Sequence, residues 1–219
     1  AFSEKGKVIG CDLYKPVAMF WQQVLKDPIS VADKVQEYHP LSKDEFKSLQ
    51  EKLPKTWKPL EIASMFYVLN RASFSGSTNS GGMSPDHPRF NQASIDRLRY
   101  FEAPNVQVGH NDAFIFLQML MGDNPSGKVI YLDPPYMIEN NLYGNKGDMH
   151  KDFNHKRLVN VVKGLDALGW KIVMSYNRNE QIEKWYSDFE IIPLEWKYGM
   201  NSSKESNEIL IVSKREVKE

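Results

Sequence analysis

Asp133-Pro134-Pro135-Tyr136 follows directly on the apolar run Lys128-Val129-Ile130-Tyr131-Leu132, so a strand delivers a carboxylate, two ring-locked residues and an aromatic to one loop. From average residue usage, this tetrapeptide arises by accident in a chain of 219 residues with odds on the order of one in a thousand. Each proline fixes φ at about −65° and lacks an N–H, which leaves a rigid edge of carbonyl acceptors. The Asp133 carboxylate beside a proline carbonyl supplies two acceptors able to converge on the two hydrogens of an amino group. Tyr136 can stack on a flat ring.

An exocyclic amino group on a nucleobase is a weak nucleophile because its lone pair is delocalised into the ring. Two acceptors on its hydrogens favour rehybridisation and aim the lone pair, while the carboxylate stabilises the positive charge that develops on nitrogen. No strongly shifted base is required. The reading without chemistry is a strand-to-loop turn capped by Asp133.

Other elements must bring ligands to such a loop. Gly6-Lys7-Val8-Ile9-Gly10-Cys11-Asp12 reads as a turn, a short strand and an acid at its carboxyl end, where α/β sheets bind ligands. An acid there can accept both ribose hydroxyls of a nucleoside cofactor. The other reading of Asp12 is the N-cap of the helix through Met19-Phe20-Trp21. His110-Asn111-Asp112-Ala113 follows the strand Val106-Gln107-Val108 and opens a helix with apolar residues at Phe114, Leu117, Leu120 and Met121. That turn suits contacts to adenine, and Asp112 as a plain N-cap is the alternative.

Strand signals stop after Asp12 and resume near Val106; between them Pro28, Pro40, Pro54 and Pro59 separate helical stretches. Residues 28–95 therefore read as a helical lobe inserted into an α/β domain made of 1–27 and 96–219. From Val106 onward strand and helix alternate: strand Lys128 to Leu132, helix Asn154 to Leu168 capped by Asn154, strand Trp170 to Ser175, helix Glu180 to Tyr186. Strands Phe189 to Pro193 and Glu208 to Val212 close the pattern as an antiparallel pair. Met137 to Phe153 has no clear period and reads as a poorly ordered segment or a lid.

The chain is 41% hydrophobic, enough for one core and a smaller lobe, and its net charge is zero. Its single cysteine, Cys11, excludes an internal disulfide framework and points to a reducing compartment. No apolar segment is long enough to span a membrane and no signal peptide is visible, so the cytoplasm is the default. Ile62 to Pro85 contains one basic residue, Arg71, and no acidic one, and Lys52, Lys55 and Lys58 precede it with only Glu61 between. A phosphate chain could approach there without repulsion; a solvated polar loop after a lysine-bearing helix is the other reading. Asp148, His150, Asp152 and His155 sit around a glycine-bearing loop, and no metal is expected there.

Together these residues resemble the Dam-type DNA adenine N6-methyltransferases, whose catalytic loop is Asp-Pro-Pro-Tyr after a buried strand. Val68-Leu69-Asn70-Arg71-Ala72-Ser73-Phe74-Ser75-Gly76 is similar to the family's Asn-Arg-x-x-Phe-x-Gly segment, Arg89-Phe90-Asn91 to its Arg-Phe-Asn or Arg-Phe-Thr element, and Asn207-Glu208-Ile209-Leu210-Ile211 to its closing strand. The resemblance implies a Rossmann-like sheet with an antiparallel last strand and the lobe 28–95 as target-recognition region. It implies methyl transfer from S-adenosylmethionine to a flipped adenine, with no metal; within the resemblance, Asp133 in place of an Asn favours adenine over a protein glutamine, with the cytosine amino group the lesser option. Catalytic positions are then Asp133, Pro134, Pro135 and Tyr136; cofactor-binding positions are Asp12 at the ribose, Asn111 and Asp112 near the adenine, and Asp133. Arg71, Ser75, Asn79, Arg89 and Asn91 are the candidate DNA contacts.

The family's glycine-rich loop under the methionine part of the donor has no counterpart here, and Ala113 stands where an aromatic is common. The expectation is therefore an N-terminally truncated fragment lacking the first strand. That strand lies centrally in the family, and its absence would leave two buried strand edges unpaired, unless those strands re-pair directly, a second chain supplies the strand or, the favoured option, a longer protein does. The loop Ser77 to Pro88, with Ser84-Pro85-Asp86-His87-Pro88 before Arg89, departs from the better-known pattern, so its target sequence is not carried over. Two alternatives stay open: a DNA-binding remnant without donor binding, and an RNA adenine methyltransferase.

Overall fold

The computed structural model of the chain describes residues 6–76, 78, 81–84, 88–137, 153–194 and 208–214. It divides into two compact units, one running to Ala113 and the other beginning at Phe114.

In the first unit, β1 (Val8–Asp12) and β2 (Val106–His110) pair in parallel, from Val8 opposite Val106 to Asp12 opposite His110. Five helices accompany them: α1 (Lys15–Lys26), α2 (Pro28–Gln36), α3 (Lys43–Lys52), α4 (Pro59–Ala72) and α5 (Gln92–Arg99). The prolines that separate the helical stretches do so for a local reason. Pro28 and Pro59 each take the first helical position, where the missing N–H has no intrahelical partner to lose and the preset φ helps. Ser42 and Glu45 close a capping box at the start of α3.

α4 is the axis of this unit. Ile62, Ala63, Met65, Val68, Leu69 and Ala72 are buried in it, and the α1 residues Met19 and Phe20 pack on the same core. Phe20 stacks on Tyr67 at 5.7 Å, and the Tyr67 hydroxyl donates to the Ser94 carbonyl of α5 at 2.7 Å. This shared core joins α1 to the helices of the 28–95 stretch, and Gln22 of α1 donates to the Val108 carbonyl of β2 at 2.9 Å.

In the second unit, α6 (Ala113–Leu120) contributes Phe114 and Leu117 to a separate core. β3 (Val129–Leu132), β4 (Lys171–Asn177), β5 (Glu190–Leu194) and β6 (Glu208–Val212) form one sheet in the order β3-β4-β6-β5. β3 and β4 are parallel, and β6 lies antiparallel between β4 and β5. α7 (His155–Ala167) precedes β4 and α8 (Glu180–Trp185) follows it. In α7, Leu158, Val161, Val162 and Leu165 recur at helical spacing and are buried. Asn154 caps α7 by accepting from the Arg157 N–H at 2.8 Å, a bond type worth about 1 kcal/mol.

Among the described residues the strands form a two-stranded and a four-stranded sheet rather than one continuous sheet. β1 and β3 each have a single hydrogen-bonded neighbour. Ile130 of β3 is buried, while its neighbours in the strand are exposed. Val129 and Tyr131 of β3 are each 62% exposed, and Val8 and Ile9 of β1 are 44% and 53% exposed.

Candidate active site

Asp133 leaves β3 beside β4 because the parallel register sets Leu132 opposite Met174. Its carboxylate is held there: the Ser175 hydroxyl donates to Asp133 Oδ1 at 2.8 Å, and the Tyr131 hydroxyl donates to Ser175 Oγ at 3.2 Å. A hydrogen bond to an ionised acceptor is stronger and more directional than a neutral one, so Ser175 sets the rotation of the carboxylate.

Tyr136 is supported from behind. Its ring lies 6.2 Å from that of Tyr176 at an interplanar angle of 21°, and the Tyr176 hydroxyl shares a short hydrogen bond with His155 Nδ1. Burial pushes the Tyr176 phenol up and the His155 imidazole down, so this bond joins two neutral groups near neutral pH. The aromatic run continues: Phe153 meets His155 edge-on at 5.0 Å and stacks on Phe114 at 5.5 Å. The Arg157 guanidinium sits 4.3 Å from the Phe114 ring centre.

In the first unit, the carboxyl ends of β1 and β2 place Asp12, Asn111 and Asp112 together. Asp12 Oδ1 accepts from the Tyr14 N–H at 2.6 Å, the Asn111 N–H donates to the Asp12 carbonyl at 3.2 Å, and Asn111 Oδ1 accepts from the Asp112 N–H at 2.9 Å. The N-cap of α1 is Tyr14, so Asp12 does not cap that helix. Burial first, then the charges of Asp12 and Asp112, pushes the Cys11 thiol up, which marks both carboxylates as neighbours of one side chain. Two carboxylates in one corner suit hydroxyl and amino donors and repel phosphate.

The expected DNA contacts divide by what they do. Arg71, exposed at the end of α4, lies over Tyr67 one turn earlier at 5.5 Å. Arg89 donates through one guanidinium nitrogen to the carbonyls of Ser73 at 2.6 Å and Asn70 at 3.3 Å, closing the carboxyl end of α4. Asn91 caps α5, accepting from the Ser94 N–H at 2.9 Å and donating to the Pro88 carbonyl at 3.0 Å. Asn79 and the Ser75 side chain lie outside the described residues.

The loop after α4 has its own anchors: Gln50, which the sequence did not flag, and Asn70, which opens the segment running to Gly76. Gln50 of α3 donates to the Thr78 and Gly81 carbonyls at 3.0 and 2.9 Å, and Asn70 donates to the Gly76 carbonyl at 3.1 Å. Ser175, Tyr176 and Asn177 were missed likewise. The available signal was a Ser-Tyr-Asn end on the apolar run Ile172-Val173-Met174.

Residues 138–152, the expected lid or poorly ordered segment, lie outside the described residues, and with them Asp148, His150 and Asp152. Among the described residues no group of three or more His, Cys, Asp or Glu side chains could hold a metal. No helix among them is long and apolar enough to cross a membrane.

The family model of the D12 class N6 adenine-specific DNA methyltransferases matches residues 1–200, a span that contains the Asp133 loop and the Asp12 and Asp112 corner. The chain belongs to that family. The D12 chain is also 27% identical over 206 residues to the type II methyltransferase M.FokI of Planomicrobium okeanokoites. That alignment covers 82% of the D12 chain and 31% of the relative, so the chain spans about a third of the relative's length.

Proposed function

We propose that this D12 chain carries the catalytic loop of a site-specific DNA methyltransferase that moves a methyl group from S-adenosylmethionine to N6 of an adenine flipped out of duplex. The observation that carries this reading is the Asp133 carboxylate, locked by Ser175 at the end of β3 and followed by the Pro134 carbonyl and the backed Tyr136 ring. The bound donor supplies a methyl group activated by a positive sulfur.

In this reading Asp133 and the Pro134 carbonyl accept the two N6 hydrogens while Tyr136 stacks on the base. The N–CH3 bond forms as the S–CH3 bond breaks, and the nitrogen, now cationic, loses one of its protons to solvent past Asp133. The carboxylate favours that step because it faces the developing charge. Asp12 accepts from the donor's ribose hydroxyls, and Asn111 and Asp112 serve its adenine. Pro135 keeps the loop rigid. Arg71, with Ser75 and Asn79, contacts DNA; Arg89 and Asn91 hold the recognition loop and have donor capacity left for phosphates.

The finer fold belongs to the same reading. It is a Rossmann-like methyltransferase sheet with an antiparallel last strand, in which a further strand would carry the glycine-rich contact to the methionine part of the donor. A type II methyltransferase among the relatives supports a restriction-modification setting in a bacterial or phage-borne cytoplasm.

The test is methyl transfer to mixed-sequence duplex with labelled donor, beside calorimetric titration of donor and of duplex. The expected result is N6-methyladenine, lost on Asp133→Ala. Wild-type turnover by Asp133→Ala would overturn the assignment. Duplex binding without donor binding would instead mark a DNA-binding remnant, and preference for a matched RNA in competition would mark an RNA enzyme.

A further inference from the structure

Three consecutive residues at the end of β4 each hold a different part of the Asp133 loop. Ser175 holds the carboxylate and Tyr176 backs the Tyr136 ring. Asn177 pairs with Met137 in both directions: its Oδ1 accepts from the Met137 N–H at 2.9 Å, and its Nδ2 donates to the Met137 carbonyl at 2.9 Å. An N–H can face only the amide oxygen and a carbonyl only the amide nitrogen, so this double bond pattern fixes the side chain's orientation. The Asn177 carboxamide thus acts as a one-residue strand partner for the backbone just past Tyr136.

The torsions of the loop show what this pin adds. Pro134 and Pro135 have their φ angles locked by their rings. The soft angles that remain lie around Asp133 and Tyr136, at the two ends. Ser175 restrains the first end through the carboxylate. Stacking on Tyr176 restrains the ring of Tyr136, and the backbone at Met137, which Asn177 holds, sets the angle between ring and acceptor edge.

We propose that Asn177 is a positioning residue for methyl transfer: by pinning Met137 it fixes the angle between the Asp133 acceptor edge and the Tyr136 ring. This rests on the reading of Asp133 to Tyr136 as the loop that holds the target base. It predicts a loss in turnover rather than in affinity, because the groups that touch DNA and donor remain in place while their mutual angle loosens. Misplacement of reacting groups by about 1 Å can cost on the order of a hundredfold in rate.

The experiment compares the full chain with Asn177→Ala, Asn177→Asp and Asp133→Ala, reading kcat and both KM values, thermal melting, and hydrogen exchange at the Met137 amide. Asn177→Ala is expected to lower kcat about ten- to hundredfold with both KM values within about twofold. Asn177→Asp keeps the acceptor for the Met137 N–H and loses the donor to its carbonyl, so its kcat falls between. Met137 exchange is slow in the wild type and in Asp133→Ala, and at least about tenfold faster in Asn177→Ala. Wild-type kcat in both Asn177 variants, a change confined to KM, or an unprotected Met137 amide in the wild type overturns the proposal. Retained turnover in Asp133→Ala instead overturns the reading of the loop itself.

Discussion

The Ser175 hydroxyl lies 2.8 Å from Asp133 Oδ1, although 42 positions separate the two residues in the chain. The parallel pairing of β3 and β4 closes that separation. Replacing Ser175 with Ala removes the donor and lets the carboxylate rotate. Turnover should fall about tenfold, a barrier increase of about 1.4 kcal/mol. Tyr131, 62% exposed, loses its partner at little cost because water replaces it. Steady-state kinetics decide it: a kcat within about twofold of wild type would show that Ser175 does not orient Asp133.

His155 gives the fold a dependence on pH. Burial pushes its imidazole below the ordinary value of 6.5, so the folded state binds fewer protons at this site than the unfolded chain. Stability from this group is then fully present above 6.5 and declines as pH falls below it toward the depressed folded value. Thermal melts between about pH 7 and pH 5 should drop more steeply in wild type than in His155→Gln. Parallel slopes would remove His155 as the cause.

Gly76 adopts φ +77°, and a Cβ built there would lie 3.0 Å from Asn70 Nδ2, the atom that donates to the Gly76 carbonyl. Gly76→Ala therefore strains the backbone and disturbs the bond that anchors the loop after α4. The expected destabilisation is about 1–2 kcal/mol, and the melting temperature falls by several degrees. Weaker duplex binding should accompany it. An unchanged melt would mean the loop adapts freely.

Arg71 and Arg89 should part company on salt. Arg71→Gln should weaken duplex binding and reduce the slope of log affinity against log salt by about one, leaving the melt unchanged. Arg89→Gln should lower the melting temperature first, because the Ser73 and Asn70 carbonyls lose their shared donor. Equal effects of the two on the melt would contradict the division of roles drawn from their partners.

What was legible in the sequence was local. The strand before Asp133, the cap at Asn154 and the proline starts of α2 and α4 each follow from residues within a few positions of one another. The Ser175 and Asn177 contacts were not legible, because they depend on which residue of β4 faces which residue of the loop, a matter of register. Arg89 shows the same limit from the other side. An arginine beside Phe90 and Asn91 reads as a contact to nucleic acid, yet in the structure the end of α4 already draws on it. Asp12 was read in two ways, and only the appearance of Tyr14 as N-cap of α1 removed one of them.

β4 gains its second neighbour from β6, not from β5, which comes first in the chain. During synthesis the strand that anchors the Asp133 loop therefore stays paired on one side only until Glu208–Val212 has been made. The Asp133 to Tyr136 loop is complete some seventy positions earlier, by simple count from Tyr136 to Glu208. Completion of the sheet around the strand that bears Ser175, Tyr176 and Asn177 is thus a late event, well after the Asp133 loop itself has been made.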